Sequence, residues 1–205
     1  MKFVNVCQEK IRMNTWMNDL LDLLFPRCCV MCGRRLARTE EHLCVSCLRG
    51  LPRTYYHNEP DNSLEKNFWG RATVERAAAY FFYYKDNAAC QILYELKYHH
   101  CPQIGVYMGK LAAAEMKDSG FFKQIDVLVP VPLAPVKRKK RGYNQCDKLA
   151  EGISFITSIP INTESLIRSV ANPTQKAANG TLDECARRFF CGRYRTIIWE
   201  AYFID

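Results

Sequence analysis

The sequence predicts an α/β domain that carries a small metal-binding module on its amino-terminal side. Two paired-cysteine motifs, Cys29-x-x-Cys32 and Cys44-x-x-Cys47, come first, and helical patterns then alternate with short apolar strands. Such alternation is typical of parallel α/β sheets. The chain has 205 residues, of which 48% are hydrophobic, so it can bury the core of one ordinary domain and a small appendage.

Residues 1–25 are predicted to contain a short amphipathic helix that serves packing. Its apolar side chains fall at helical spacing and lead into Pro26: Trp16, Met17, Leu20, Leu21, Leu24 and Phe25. No stretch reaches the roughly 18 apolar residues of a membrane span, and the amino terminus lacks the apolar block of a signal peptide. We therefore expect a cytoplasmic protein without membrane insertion, whose cysteines are reduced thiols.

Residues 26–52 are predicted to form a zinc ribbon. Eleven residues separate the pair Cys29 and Cys32 from the pair Cys44 and Cys47, and two such pairs can supply four thiolates to one tetrahedral zinc. Cys28 competes for the first position, but its distance to Cys32 is the less common spacing. Because thiolates would fill every coordination position, we expect a structural and not a catalytic zinc. The alternative is a chance grouping of small buried residues.

Residues 73–85 are predicted to form a strand, because they are rich in β-formers and include five consecutive aromatic residues, Tyr80 to Tyr84. A nucleic-acid stacking platform is the alternative, but consecutive aromatics point to both faces of a strand, which favours core packing. Two helices are predicted next, over 88–98 and 103–117, with a break at Cys101 and Pro102.

The run Asp126–Leu133 is predicted to be a buried parallel strand, since it is short, apolar and ended by prolines. A basic loop, Lys137–Arg141, follows it and precedes a helical pattern through Leu149, Ile153 and Ile156. Open α/β sheets bind ligands at the carboxyl ends of their strands, so this loop could grip a phosphate. The alternative is a solvated surface loop. The formal net charge of +8 suits an anionic partner.

Six segments, in this order, resemble the competence protein F (ComF) family: FPRCCVMCG, LCVSC, ELKY, DVLVPVPL, KRGYNQ and NPTQ. The resemblance covers Leu20 to Gln175. It implies a zinc ribbon joined to a type I phosphoribosyltransferase-like domain, here residues 70–175 and incomplete at the carboxyl end. It also implies an association with DNA uptake in natural transformation, with single-stranded DNA or DNA-processing proteins as partners.

The resemblance further implies residues that bind the pyrophosphate side of phosphoribosyl pyrophosphate, with magnesium in intact relatives. They are Lys97, Pro130, Val131, Pro132, Arg141, Gly142, Asn144 and Gln145. In the family a strand ending in two acids and a glycine-threonine loop should follow, to hold the ribose and the 5-phosphate. No Asp-Asp and no Thr-Gly occurs in these 205 residues. No catalytic residue can therefore be assigned, and we expect this copy to be impaired.

The tail, residues 176–205, is interpreted as the product of a shifted reading frame after Gln175. When each codon is started one base later, the codons of Trp199 to Asp205 and a following stop permit Gly-Lys-His-Ile-Leu-Leu-Ile-Asp. This resembles the start of the missing family strand. The same offset at Leu182 to Cys185 permits Trp-Met-Asn-Val, which is similar to another family segment. The alternative is a genuine lineage-specific tail that packs on the domain.

Two functions remain open from the sequence. The first is a ComF-type phosphoribosyltransferase-like protein, a glycosyltransferase by family, without activity in this copy. The second is a non-catalytic zinc-ribbon module that binds nucleic acid through its basic surface. Binding of phosphoribosyl pyrophosphate with magnesium would separate the two.

Overall fold

A computed structural model of the chain describes residues 26–70, 74–84, 87–167 and 196–199, the last segment by its backbone alone. The amphipathic helix expected within residues 1–25 lies outside the described residues, as does the tail apart from 196–199. Within the described ranges, every helix is too short or too polar to cross a bilayer.

The cysteine module is built from short turns and one helix, α1 (Val45–Arg49). An antiparallel bridge joins Cys28 to Arg35, and the amide of Val30 donates to the carbonyl of His42 at 3.0 Å. Gly33 turns the chain between these contacts with a φ of +72°, a conformation that side chains disfavour. These bonds fold residues 28–44 back on themselves, so that the two cysteine pairs meet.

The segment after the module contains a 3-10 helix (Tyr56–Asn58) and the short helix α2 (Ser63–Lys66). The strand predicted over 73–85 is not continuous in the described part, 74–84. One antiparallel bridge, Arg53 to Phe81, holds it, with bonds from the Thr54 amide to the Tyr80 carbonyl and from the Phe82 amide to the Pro52 carbonyl. Since Pro52 has no N–H to return the second bond, the ladder stops there.

Three longer helices form the body of the domain: α3 (Cys90–Tyr98), α4 (Pro102–Lys117) and, further on, α6 (Gln145–Thr157). The first two agree with the predicted helices to within two residues, and Pro102 occupies the first turn of α4, where its missing N–H costs nothing. Helices α4 and α6 approach closely because Gly109 and Gly152 face each other, with no side chain between the backbones.

The sheet in the described residues has two parallel strands, β1 (Val127–Pro130) and β2 (Thr196–Trp199). On the other side of β1, Leu128 forms a parallel bridge with Ile161. The structure is thus a mixed helix and strand fold with little sheet. Between β1 and α6, the predicted basic loop is instead a helix, α5 (Pro135–Arg141). Lys and Arg favour helices, Pro135 opens it, and Gly142 closes it with a φ of +80°.

Within the part of the chain that the structure describes, two groups of buried side chains make up the core. The larger one joins the cysteine module to α3 and α4, because Leu36, Leu43 and Leu51 lie in one cluster with Ile92 and Met108. The smaller one packs Leu128 of β1 against Ala113, Ile153 and Ile159. The cysteine module therefore shares its apolar core with the main helices.

Candidate metal centre and adjoining basic surface

The sulfur atoms of Cys29, Cys32, Cys44 and Cys47 all lie within 4.8 Å of one another. The sulfurs of Cys32 and Cys44 are 3.8 Å apart. Four thiolates at the usual zinc–sulfur distance of about 2.3 Å around a tetrahedral ion have sulfurs about 3.8 Å apart. The cluster is therefore compatible with one tetrahedral metal ion.

Backbone amides orient the cluster. The amide of Cys44 donates to the sulfur of Cys29 at 3.3 Å, and the amide of Cys47 donates to the sulfur of Cys44 at 3.5 Å. The carboxylate of Glu40 accepts from the amides of Ala37 and Val45 at 2.7 and 2.8 Å. These bonds fix the backbone that leads into the second cysteine pair, Cys44 and Cys47. The same two bonds lower the pKa of Glu40 and keep it ionised.

The pKa values of Cys44 and Cys47 are shifted in opposite directions. Burial raises the pKa of Cys44, but hydrogen bonds from the Cys47 amide and from neighbouring thiols outweigh it and lower that pKa to about 7. Burial and hydrogen bonds to the other cysteines raise the pKa of Cys47 well above its usual range. Without an ion, Cys47 would therefore keep its proton at neutral pH, and a divalent cation would replace that proton.

Cys28 lies outside the cluster, as its spacing suggested. Its sulfur donates to the carbonyl of Pro26 at 3.4 Å. Cys29 and Cys44 are buried, whereas Cys32 is exposed. All four ligand positions are sulfurs, so a bound ion would have no open position for a substrate or a water, and the arrangement suits a structural ion.

The residues that the ComF resemblance assigns to pyrophosphate binding come from three parts of the fold. Pro130 ends β1, and Val131 and Pro132 follow it. Asn144 is 4% exposed, and its side-chain amide donates to the carbonyl of Val131 at 2.9 Å and to the carboxylate of Asp147 at 2.7 Å. The same side chain accepts from the Cys146 amide and begins α6. Asn144 thus ties the start of α6 to the end of β1.

Arg141, Gly142 and Gln145 lie at the junction of α5 and α6. The guanidinium of Arg141 donates to the side-chain oxygen of Gln145 at 2.8 Å and sits 5.7 Å from the ring centre of Tyr98. The hydroxyl of Tyr143 donates to the carbonyl of Leu96, next to Lys97 on α3. The end of α3 therefore meets the junction of α5 and α6. The sequence analysis gave no functional role to Tyr94 or Tyr98. Their spacing of four residues on a predicted helix does indicate that the two rings are neighbours.

A separate, partly buried polar group joins the segment after the cysteine module to α4. The guanidinium of Arg53 pairs with the carboxylate of Glu115 at 2.7 Å, and the hydroxyl of Tyr80 donates to the same oxygen at 3.4 Å. Burial and the nearby Glu115 raise the pKa of Tyr80 to about 12. His57 is 3% exposed, and burial lowers its pKa. Its Nδ1 has no hydrogen-bond partner among the described residues.

Comparison with known proteins identifies relatives with one shared description. No protein-family model matches the chain, and no solved structure matches it. The chain is 28% identical over 152 residues to the DNA utilization protein YhgH of Escherichia coli O157:H7. The proteins of the same name from strains CFT073 and K12 match to the same extent. The alignment covers 72% of this chain and 62% of the relative, so it spans less than two thirds of these relatives' length.

Proposed function

We propose that this chain is a ComF-type protein that handles DNA during uptake, with a zinc ribbon joined to a phosphoribosyltransferase-like domain. The observation that carries this proposal is the similarity, over 72% of the chain, to a protein named for DNA utilization. The four-cysteine cluster and the parallel pairing of β1 are compatible with it.

Zinc is the ion that we propose for the cysteine cluster. A site made only of thiolates favours zinc over magnesium or calcium, which prefer oxygen ligands. The ion would hold the two cysteine pairs together and stabilise the part of the core that the cysteine module shares with α4.

The second part of the proposal is that these 205 residues bind phosphoribosyl pyrophosphate weakly and do not turn it over. The pyrophosphate-side residues, Arg141 and Asn144 among them, are present, but the acid pair and the Thr-Gly loop are absent from the sequence. In the family design those acids face the ribose and magnesium, and the loop amides bind the 5-phosphate, so most of the ligand would have no partner.

Calorimetry of the 205-residue protein with phosphoribosyl pyrophosphate and magnesium, together with an assay of pyrophosphate release, tests this proposal. We expect weak binding and no release. Arg141→Ala should remove the binding, while Arg138→Ala, a matched change on the exposed side of α5, should not. Turnover would contradict the proposed inactivity.

The alternative, a zinc-ribbon module that binds nucleic acid and makes no use of a phosphoribosyl ligand, is favoured by one observation. Arg138, Lys139 and Lys140 of α5 are exposed beside one another. Salt-sensitive DNA binding without any binding of phosphoribosyl pyrophosphate would support this alternative.

A further inference from the structure

Two exposed tyrosines and a basic helix lie together at one edge of the domain. Tyr94 and Tyr98 of α3 are 49% and 58% exposed, and their ring centres are 5.1 Å apart. A third ring, that of His99, lies 5.0 Å from Tyr94. The basic side is α5, which contributes Arg138, Lys139, Lys140 and Arg141. We refer to these seven residues as the aromatic–basic surface.

Contacts between α3 and α5 fix the two sides of this surface relative to each other. The guanidinium of Arg141 sits 5.7 Å from the ring centre of Tyr98. Nδ1 of His100 is hydrogen-bonded to the carbonyl of Arg141 at 3.0 Å. The hydroxyl of Tyr143 donates to the carbonyl of Leu96 on α3. The Tyr98 ring and the Arg141 end of α5 are therefore held side by side before any ligand binds.

Acidic side chains are few in the chain segments that form the surface, with Glu95 the single one from Tyr94 to Ala114. No Asp or Glu occurs from Leu96 to Ala114 or from Val127 to Cys146. The nearest acid on α3, Glu95, is buried and pairs with Nδ1 of His99 at 2.8 Å. Asp147, in the first turn of α6, attracts Arg138, whereas no acid of the α3 and α5 segments is paired with Lys139 or Lys140 among the described contacts.

We propose that the aromatic–basic surface binds single-stranded DNA, with unpaired bases stacked on Tyr98 and Tyr94 and phosphates held by α5. This proposal rests on the proposed function in DNA handling and names the surface that would carry it. Stacking on exposed rings combined with a neighbouring positive stripe is how proteins hold single strands without reading their sequence. In a duplex the bases are stacked on one another and not accessible to the tyrosines.

A second aromatic–cation pair on the protein lies outside the aromatic–basic surface, beside an exposed acid, and provides a matched control. Phe155 of α6 is 71% exposed, and the ammonium of Lys110 lies 4.1 Å from its ring centre. The acid Glu151 stands one turn before Phe155 on the same helix, where it pairs with Lys148 at 2.6 Å. We therefore expect no role in DNA binding for Phe155 and Lys110.

Fluorescence anisotropy with a labelled oligothymidylate of roughly 20 nucleotides, titrated at several salt concentrations, tests the proposal. Tyr94→Leu with Tyr98→Leu should weaken binding by about tenfold or more and leave the salt dependence unchanged, because stacking is not ionic. Lys139→Gln with Lys140→Gln should reduce the slope of log K against log salt by about 1.4. Tyr98→Trp should retain the wild-type affinity, since it preserves a stacking ring.

The control, Phe155→Leu with Lys110→Gln, should bind as the wild type does, and zinc content and melting temperature should show that every variant is folded. Wild-type binding that the tyrosine pair does not weaken would overturn the aromatic–basic surface and leave the DNA-handling function standing. A wild-type protein that binds no DNA would overturn both. Equal or tighter binding of a duplex, or tighter binding of an oligouridylate, would contradict the choice of single-stranded DNA.

Discussion

At the scale of single residues, five neighbouring cysteines differ in role. Cys29, Cys32, Cys44 and Cys47 share one cluster, whereas Cys28 points to the carbonyl of Pro26. The spacing of the pairs was enough to predict the cluster, because each Cys-x-x-Cys pair is a local turn of only four consecutive residues. That Glu40 orders the second cysteine pair could not be predicted, since it depends on the fold of the residues between the pairs.

Replacement of Cys44 by serine should abolish zinc binding. The buried sulfur accepts a backbone hydrogen bond and supplies one of four ligands, so its loss leaves an incomplete site. We expect zinc content to fall from about one ion per chain to near zero, and the free energy of unfolding to fall by more than about 4 kcal/mol. Elemental analysis and chemical denaturation measure both quantities.

The matched control is Cys28→Ser, which changes an adjacent cysteine outside the cluster. It should keep the full zinc content and the wild-type stability. Loss of zinc in Cys28→Ser, with zinc retained in Cys44→Ser, would mean that the ligand set is wrong.

The buried His57 should make the protein less stable in mild acid. Burial, together with the nearby Arg76, lowers its folded pKa below the ordinary value of 6.5, while Glu115 opposes the shift. Above pH 6.5 the ring is neutral in both the folded and the unfolded chain. Below that pH the unfolded chain takes up a proton that the folded chain resists, so stability falls.

Denaturant unfolding at about pH 7.5 and about pH 5.5 measures this effect. The loss of stability between the two pH values should be smaller in His57→Gln than in the wild type. Zinc release also increases in acid, but it affects both proteins equally and cancels in the comparison. An identical loss in the two proteins would show that His57 does not contribute.

At the scale of elements, the close approach of α4 and α6 depends on two glycines. A Cβ on Gly109 would lie 2.2 Å from the carbonyl oxygen of Leu149, and one on Gly152 would lie 2.1 Å from that of Val106. Both contacts are with backbone atoms, which cannot turn aside. The two helices and the core beneath them would have to move apart.

Gly152→Ala should therefore destabilise the protein by about 3 kcal/mol, toward the upper end of overpacking effects. Gly105→Ala is the graded comparison, because its Cβ would lie 2.8 Å from the Cβ of Lys148 and 3.1 Å from the Cδ1 of Leu96, a less severe overlap than the 2.1 Å at Gly152. Thermal and chemical denaturation should show that Gly152→Ala is less stable than Gly105→Ala. Equal stabilities would contradict the packing described above.

The elements differ in how far the sequence predicted them, and the reason is physical. Helices α3, α4 and α6 have apolar side chains at helical spacing, so their periodicity alone locates them. Helix α5 has no such period, because five consecutive cations follow Val136; its signals are Pro135 at the start and Gly142 at the end. The extended segment at 74–84 does not form a full strand, because the segment that pairs with it contains Pro52. This pairing is between residues distant in sequence, so no local pattern predicts it.

At the scale of the whole molecule, we propose that the reading frame shifts just after Gln175. Resequencing of the gene from codon 170 through about a hundred bases past codon 205 should reveal an Asp-Asp pair and a Thr-Thr-Gly loop in another frame, as the family pattern requires. A base error in the present sequence would then indicate an artefact, and a confirmed sequence would indicate a pseudogene. If no frame contains these motifs, the tail is genuine.

The relation between distant parts of the molecule was the least predictable from sequence. The contact of Arg141 with the ring of Tyr98 joins residues on two helices, and the pairing of β1 with β2 joins strands far apart in the chain. Such contacts follow from the assembled core. Local spacing predicted the cysteine cluster and the main helices, whereas the aromatic–basic surface became visible only when α3 and α5 were placed side by side.

The double pairing of β1 has a consequence for how separate copies of the chain behave. On one side Leu128 exchanges bonds of 2.9 Å with Pro160 and Asn162, and on the other side β2 runs parallel to it in full register. A protein ended before Thr196 would present one row of β1 amides and carbonyls to solvent, which is a template for strand addition by a neighbour. The segment Thr196–Trp199 covers this edge of β1, so we expect its removal to promote association between copies of the chain.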